Sequence, residues 1–396
     1  MDFLKFAFWF CLFIVFYAYL GYGILLFVLI RLRRLLRPPA KPSARDYYPD
    51  VTFVVAAYNE QDWIEDKIRN GLTFDYPHQN LHFLYVTDGS SDRTPELIRQ
   101  FDWPADVSWS LHHQPERRGK IAAVERIMAY VKTPIVIYTD ANTAVNPEAI
   151  QRIVRHYQDP QVGAVAGEKR IAMASADAAN AAGEGIYWKY ESTLKRWDSE
   201  LYSVVGAAGE LFSLRTELFE AVPQDTVIED FYLTLRIAQQ GYRVRYEPGA
   251  YAVESSSASV PEELKRKIRI AAGGLQAIAR LTPLLNLFRY GILSFQYISH
   301  RVLRWTLAPL ALPLLLLSNL LLASTGAPLY VALLYGQALF YLAALIGYLL
   351  ESRQLKIKAF FVPYYFCIMN YAVYRGFFRF IRGSQSVVWE KAKRAV

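Results

Sequence analysis

Two apolar ends bracket a middle in which short apolar runs alternate with segments of mixed, helical period. From Phe3 to Ile30 the chain is nearly continuous hydrocarbon with Lys5 as its only charge. At a rise of ~1.5 Å per residue that run is long enough to cross a bilayer with tilt. A secretory signal is the alternative, but the apolar run exceeds a signal core and is followed by Arg31, Arg33, Arg34 and Arg37 rather than an Ala-x-Ala cleavage site. The pattern therefore predicts a retained transmembrane helix over residues 1–32, with its basic flank on the cytoplasmic side. Apolar runs return at Leu303 to Ala323, Tyr330 to Leu350 and Ala359 to Phe378, joined by a short "STGAP" turn and a basic "ESRQLKIK" loop, which defines a C-terminal membrane region over 303–380. Ahead of it, residues 276–305 are aromatic and amphipathic, with Arg289, His300, Arg301 and Arg304, a composition suited to helices lying in the membrane interface. Residues 381–396 form a basic, Trp-containing tail.

Between these ends, residues 47–275 read as one soluble domain, long enough for a single sizeable core. Apolar runs ending in polar turns occur at 51–60, 81–94, 134–143 and 162–170, and helical stretches lie between them at Gln61 to Leu72, Pro95 to Phe101, Lys120 to Tyr130 and Asn146 to Gln158. Such alternation predicts an α/β fold, a parallel open sheet with helices on both faces. Ligands of such sheets bind beyond the carboxyl ends of the strands, which is where Asn59, Asp88, Asp140 and Asn142 fall.

Composition narrows the chemistry. The chain has 396 residues, 53% of them hydrophobic and 20% charged, a balance that fits a soluble domain attached to membrane segments. The net charge of +8 is accounted for largely by basic residues flanking the apolar runs, next to anionic lipid, so no nucleic-acid partner is needed. The two cysteines, Cys11 and Cys367, lie in apolar segments, and the six histidines form no HExxH, which excludes a disulfide framework, a thiolate metal site and a zinc hydrolase of that kind.

The candidate chemistry gathers at the strand ends. Asp140 and Asn142, two apart on an extended strand end, would leave the same face and converge on a hard cation, Mg²⁺ or Mn²⁺, bridging a diphosphate. The same Asp-x-Asn also reads as an ordinary turn start. "YVTDGSSDRT" puts Asp88 and Gly89 at a strand end before a helix, and "ERRGK" puts Lys120 at a helix N-terminus, a favourable anion site unless the run is only a solvated charged face. In "TVIEDFYLTLR", Glu229 and Asp230 open a helix, as the macrodipole alone would favour, and the preceding "VVGAAGELFSLR" is glycine-rich, as where backbone approaches a ligand closely.

The ordered set "AAYNE", "VTDGSSDRT", "RRGK", "TDAN", "GAAGELFSLR" and "IEDFYLTLRIAQQGYRVRY" resembles the family 2 glycosyltransferases, in particular membrane-embedded bacterial enzymes of the poly-N-acetylglucosamine and hyaluronan synthase type. The resemblance implies a GT-A fold, a nucleotide-diphospho-sugar donor, in the first place a UDP-sugar, a divalent cation and an inverting transfer. It places Ala57, Tyr58, Asn59, Glu60, Asp88, Gly89, Lys120, Asp140 and Ala141 on the donor side, Asp140 and Asn142 at the metal, and Asp230 with Glu229 at the catalytic step. Gly209, Glu210, Arg266, Arg269, Trp389 and Arg394 fall on the acceptor side. The sequence departs from the family pattern where Asn142 replaces a second acid and where "RKIRI", with Arg266, Arg269 and Ile270, stands in place of Gln-x-x-Arg-Trp. The expected partners are a sugar-nucleotide, a polysaccharide or lipid-linked acceptor, the lipid bilayer and a small membrane or export subunit. The alternatives are transfer of a single sugar to a lipid carrier, and an inactive scaffold or sensor of the same fold. The expected location is the inner (plasma) membrane, multi-pass, with the catalytic domain cytoplasmic. The basic residues from Arg375 to Arg394 put the C-terminus on that side too, so one C-terminal segment, that with Pro363 and Asn370, would be re-entrant or incompletely spanning.

Overall fold

In a computed structural model, residues 1–36, 47–172, 178–255, 260–351 and 357–383 are described, and Trp389 and Arg394 lie outside them. The apolar runs of the middle region form β1 (Val51–Ala57), β2 (Leu81–Asp88), β3 (Ser108–Gln114) and β4 (Ile135–Asp140), followed by β5 (Thr143–Val145), β6 (Val162–Ala172), β7 (Leu211–Arg215) and β8 (Arg243–Ser255). They make one eight-stranded sheet in the order β3-β2-β1-β4-β7-β6-β8-β5. The expectation of a parallel sheet holds for β3, β2, β1 and β4. Beyond β4 only β6 and β8 pair in parallel, because β7 runs antiparallel to both β4 and β6, and β5 antiparallel to β8. The sheet is mixed because β7 enters from the glycine-rich loop rather than from a crossover helix, so it meets β4 from the opposite direction.

Alternate residues of the strands feed two cores. Val54, Leu84 and Val136 pack on one face, Phe53, Val55 and Ile137 on the other, so both faces are covered. The covering helices are α2 (Ile64–Gly71), α3 (Thr94–Gln100), α4 (Lys120–Met128), α5 (Ala149–Val154), α6 (Ala178–Leu201) and α7 (Glu229–Gln239), with α1 being the N-terminal helix Asp2–Leu36. In the sheet register Ala57 lies beside Thr87 and Ala56 beside Asp140, which brings the carboxyl ends of β1, β2 and β4 to one edge.

The remaining helices are α8 (Val260–Arg280), α9 (Ile292–Trp305), α10 (Leu307–Ala323), α11 (Pro328–Glu351) and α12 (Lys358–Ile381). Among the described residues α1 and α11 are long and apolar enough to cross a membrane, and α9 with α10, bent by 53°, makes a third candidate if counted as one span. α12, with Lys358, Asn370, Arg375 and Arg379 along it, is not among them.

Four of the basic residues flanking the apolar runs pair within the protein. His300 is fully buried and faces Asp198 at 2.5 Å, Arg301 and Arg304 pair with Glu191 at 2.7 and 3.2 Å, and Arg34 forks onto Glu200 through two 2.7 Å bonds. At the end of the stretch 281–305, His300, Arg301 and Arg304 therefore turn to the protein, while Leu287, Phe288 and Ile292 are exposed. Acids on α6 partner these three inward-facing side chains in a buried setting, while Arg289 stays exposed. α1 joins the same network: the Tyr22 hydroxyl donates to Asp198 at 2.5 Å. A wider π-type turn at Tyr17–Gly21 accompanies two further ties, from Arg304 to the Ala18 carbonyl at 2.9 Å and from the Tyr190 hydroxyl to the Tyr19 carbonyl at 2.7 Å.

Candidate active site

The end of β4, the start of α4, the glycine-rich loop and the start of α7 surround a cavity of about 1240 Å³. Of the residues expected at the site, Lys120, Asp140, Gly209, Glu210, Glu229, Asp230, Arg266 and Arg269 all line it. At its centre the Lys120 ammonium bridges two acids, 3.0 Å from Asp140 Oδ1 and 2.9 Å from Glu229 Oε1. Burial disfavours a charged Lys120, but the two carboxylates outweigh it and hold the ammonium firmly protonated. Burial likewise works against Glu229, and Lys120 overcomes it, keeping that carboxyl below its ordinary range. For Asp140 burial wins over Lys120, and its carboxyl is raised.

Asp230 sits beside this trio without an ion pair of its own among the described residues. Burial first, and then the negative Glu229, raise its carboxyl to about 7, against the pull of Lys120. A carboxyl titrating there is matched to taking a proton near neutral pH. Its place depends on the glycine-rich loop. A Cβ on Gly209 would stand 3.5 Å from Asp230 Oδ2 and 3.7 Å from Lys120 Nζ, so the backbone lies directly against the acid. Gly206 has φ +94°, and a Cβ there would come within 2.0 Å of the Phe231 ring, so the loop's close approach to α7 requires glycine. A base at Asp230 needs the ionised carboxylate, so that role predicts acceptor transfer rising with pH through about 7 and levelling off above it. Measuring kcat/KM for acceptor across that range, with the limb absent in Asp230→Asn, checks this; a flat wild-type profile excludes Asp230 as the titrating base.

A smaller pocket opens off Lys120 between Ala57, Tyr58, Asp88 and Arg117. Asp88 Oδ2 accepts the backbone N–H groups of Arg118 (2.8 Å) and Gly119 (2.6 Å), which fixes the turn that presents Lys120, while its Oδ1 is buried without a hydrogen bond. The Arg117 guanidinium stacks on the Tyr58 ring at 3.6 Å from its centre, a flat lid beside the pocket that sequence reasoning had left within a charged run. Gly89, at φ +69°, lies so close that a Cβ would meet Arg117 at 2.5 Å. Three residues expected on the donor side lie just off the pocket. Asn59, itself at φ +53°, is stitched to Ser91 by a 2.9 Å bond, Glu60 is buried with its N–H on Thr94, and Ala141 is buried in the core.

Glu210 bonds to Lys169, which also bonds to Glu254, and Arg266 pairs with Glu254 at 3.3 Å. This chain of charges ties Glu210 and Arg266 to β6 and β8. Beneath the site Lys67 is buried and donates to Thr139 Oγ1 (3.0 Å) and the Thr143 carbonyl (2.7 Å), clamping the turn between β4 and β5. Burial lowers its ammonium to about 7, in spite of Asp140. No sequence motif marked it, since a lysine on an amphipathic helix reads as solvent-facing.

Among the described residues no three His, Cys, Asp or Glu side chains cluster as a protein-only metal site. The donor set fits a different type: the Asp140 carboxylate and the Asn142 amide oxygen, which is buried without a hydrogen-bond partner, with the remaining positions left to diphosphate and water. Asn142 lies two residues past the end of β4, in a turn rather than on an extended strand, so the same-face argument from strand geometry does not apply to it.

The comparisons agree with this architecture. Residues 52–222 match the model of "Glycosyl transferase family 2". The poly-beta-1,6-N-acetyl-D-glucosamine synthase of Staphylococcus aureus (strain MSSA476) is 30% identical over 247 residues, 59% of this chain and 57% of that protein. The synthase of the same name from Staphylococcus epidermidis is 25% identical over 238 residues, 58% of this chain and 56% of that protein. The chain thus spans a little over half the length of the curated relatives it matches. In fold it is similar to the mannosyltransferase PcManGT from Pyrobaculum calidifontis, solved with GDP-Man and Mn²⁺, at a TM-score of 0.72 and 23% identity, covering 96% of this chain and 99% of that one. Residues 52–222 match a family 2 glycosyltransferase domain, the chain is GT-A-like in fold, and helices long and apolar enough to cross a membrane are joined to it.

Proposed function

We propose that the protein is an inverting membrane glycosyltransferase that moves a sugar from a nucleotide-diphospho-sugar to a hydroxyl of a polysaccharide or lipid-linked acceptor. The observation that carries this reading is the juxtaposition, in one cavity, of the unpaired Asp230 carboxylate with the Lys120 ammonium and the Asp140 and Glu229 acids. The donor's nucleotide lies along Ala57, Tyr58, Asp88 and Arg117, and its diphosphate reaches Lys120 and the amino end of α4, where N–H groups and an ammonium favour anions. The acceptor hydroxyl approaches from the opposite side, against Gly209. As its oxygen bonds to the anomeric carbon its proton passes to Asp230, and the bond from that carbon to the phosphate oxygen breaks with its electron pair going to the diphosphate. One displacement inverts the anomeric centre. Lys120 meets the negative charge that gathers on the leaving group. A divalent cation held by Asp140 and Asn142 with the diphosphate would supply further charge neutralisation there. Arg269, in the cavity and within the field of Glu229 and Asp230, orients the acceptor.

The same reading places the protein in the plasma membrane with its catalytic domain cytoplasmic, as the sugar-nucleotide requires, and with an export partner where the product is a polymer. Purified full-length protein incubated with a panel of radiolabelled nucleotide sugars, scoring turnover, product length and anomeric configuration, tests it. We expect one donor to be consumed with inversion, and retention of configuration or no turnover of any nucleotide sugar overturns the proposal.

A further inference from the structure

The face of α6 that looks into the cavity carries Trp188, Glu191 and Lys195, and Asp198 follows them at helical spacing. Both acids of this stripe are matched. Glu191 meets Arg301, Arg304 and His300, and Asp198 meets Tyr22, Gln296 and His300. Lys195 is different. It is only 5% exposed and lines the cavity, yet among the described residues no hydrogen bond or ion pair reaches its ammonium, whose one close contact is the Tyr246 ring, 5.9 Å away. The acids that feel its charge are engaged elsewhere: Glu191 as above, Glu210 with Lys169, and Glu168 with Arg170 at 3.9 Å, while Asp230 is the proposed base. An ammonium that faces the cavity with no acceptor among the described residues is open to an anion entering that space.

The cavity does not end at Lys195. The same space continues along Tyr19 and Leu20 of the apolar helix α1 and along Phe361, Val362 and Phe366 of α12. Resting on the transferase reading above, we infer that the acceptor is a lipid whose head group bears a phosphate: Lys195 binds that phosphate, the hydroxyl to be glycosylated lies a short distance away at Asp230, and the hydrocarbon leaves between α1 and α12. An uncharged growing polysaccharide would give Lys195 no counter-charge. This class also explains why one cavity joins a base to an apolar exit, and it calls for a preceding reaction that attaches a polyol or sugar to a lipid through a phosphate ester.

The test uses the full chain in a maltoside detergent, with dodecyl phosphate, dodecyl β-glucoside and inorganic phosphate as probes, followed by calorimetry. Dodecyl phosphate should bind at least roughly tenfold more tightly than the other two, the scale of one charge-assisted hydrogen bond. Lys195→Met should lose that preference, Lys195→Arg should keep it, and donor affinity should be unchanged in both, which shows that they are folded. Three results overturn the inference: unchanged dodecyl phosphate binding in Lys195→Met, which moves the phosphate to another cation; inorganic phosphate binding as tightly as the lipid analogue, which makes this a free-anion site; and displacement by UDP or GDP, which puts the probe on the donor side. Failure of every nucleotide sugar to turn over, with Lys195-dependent binding of dodecyl phosphate intact, sinks the transferase reading and leaves the lipid-phosphate site standing.

Discussion

Replacing Asp230 with Asn lowers glycosyl transfer by roughly two to four orders of magnitude, the usual range for a lost general base, while donor binding is retained. The size of the loss follows from the surroundings. Lys120 is occupied by Asp140 and Glu229, and Glu229 is held in its charged form by that ammonium, so neither neighbour is placed to take over the proton. The amide keeps the volume and, with Gly209 lying against it, the packing, so the fold survives. Initial rates with labelled donor, together with donor affinity by calorimetry, measure both sides of the expectation. Turnover close to wild type in a folded Asp230→Asn protein removes Asp230 from the mechanism.

The second large effect concerns Asp140 and a divalent cation. Chelation with EDTA should abolish transfer, and Mg²⁺ or Mn²⁺ should restore it. In Asp140→Ala, affinity for nucleoside diphosphate should fall at least roughly tenfold more than affinity for the nucleoside, because the lost carboxylate would act through the phosphates. The geometry makes the sign informative. Removing Asp140 leaves Lys120 to Glu229 alone and makes the ammonium more available to phosphate, which would strengthen diphosphate binding if no cation were involved. An equal loss for nucleoside and diphosphate, or a gain for diphosphate, would mean that Asp140 serves to hold Lys120 rather than a cation.

Much of this arrangement was legible in the chain. Strands that are buried on both faces, such as β1 and β4, announce themselves as unbroken apolar runs, and the acids at their ends stand out against them. β3 was missed because "SWSLHHQ" is an edge strand with half-exposed side chains and no apolar run. The antiparallel β7 was hidden for a different reason. Its "LFSLR" is as short as a turn flank and follows a glycine-rich loop, and direction is a property of pairing that a local pattern does not carry. Lys120, Asp140, Glu229 and Asp230, which the structure brings together in one cavity, each stand out in the sequence, whereas Arg117, Lys67 and Lys195 do not. Each is a basic residue in a segment that reads as an ordinary charged or amphipathic stretch, and each owes its position to something distant in sequence: the Tyr58 ring, the β4–β5 turn and the cavity wall. The inward-facing His300, Arg301 and Arg304 read as an interfacial face for the same reason. Their partners lie on α6, about a hundred residues earlier.

The bond from Tyr22 to Asp198, and from Asp198 to His300, has a meaning for the order in which the protein is made. These residues are 176 and 102 positions apart, so the helix that leaves the ribosome first carries a hydroxyl whose carboxylate partner, and the imidazole behind it, do not yet exist. At roughly 5–20 residues per second of synthesis, that helix waits on the order of tens of seconds before its seam is completed. A nascent chain stalled before α9 would hold a finished sheet beside an unclosed seam. The last element to emerge from that point, not the catalytic domain itself, therefore determines when the enzyme locks onto its anchor.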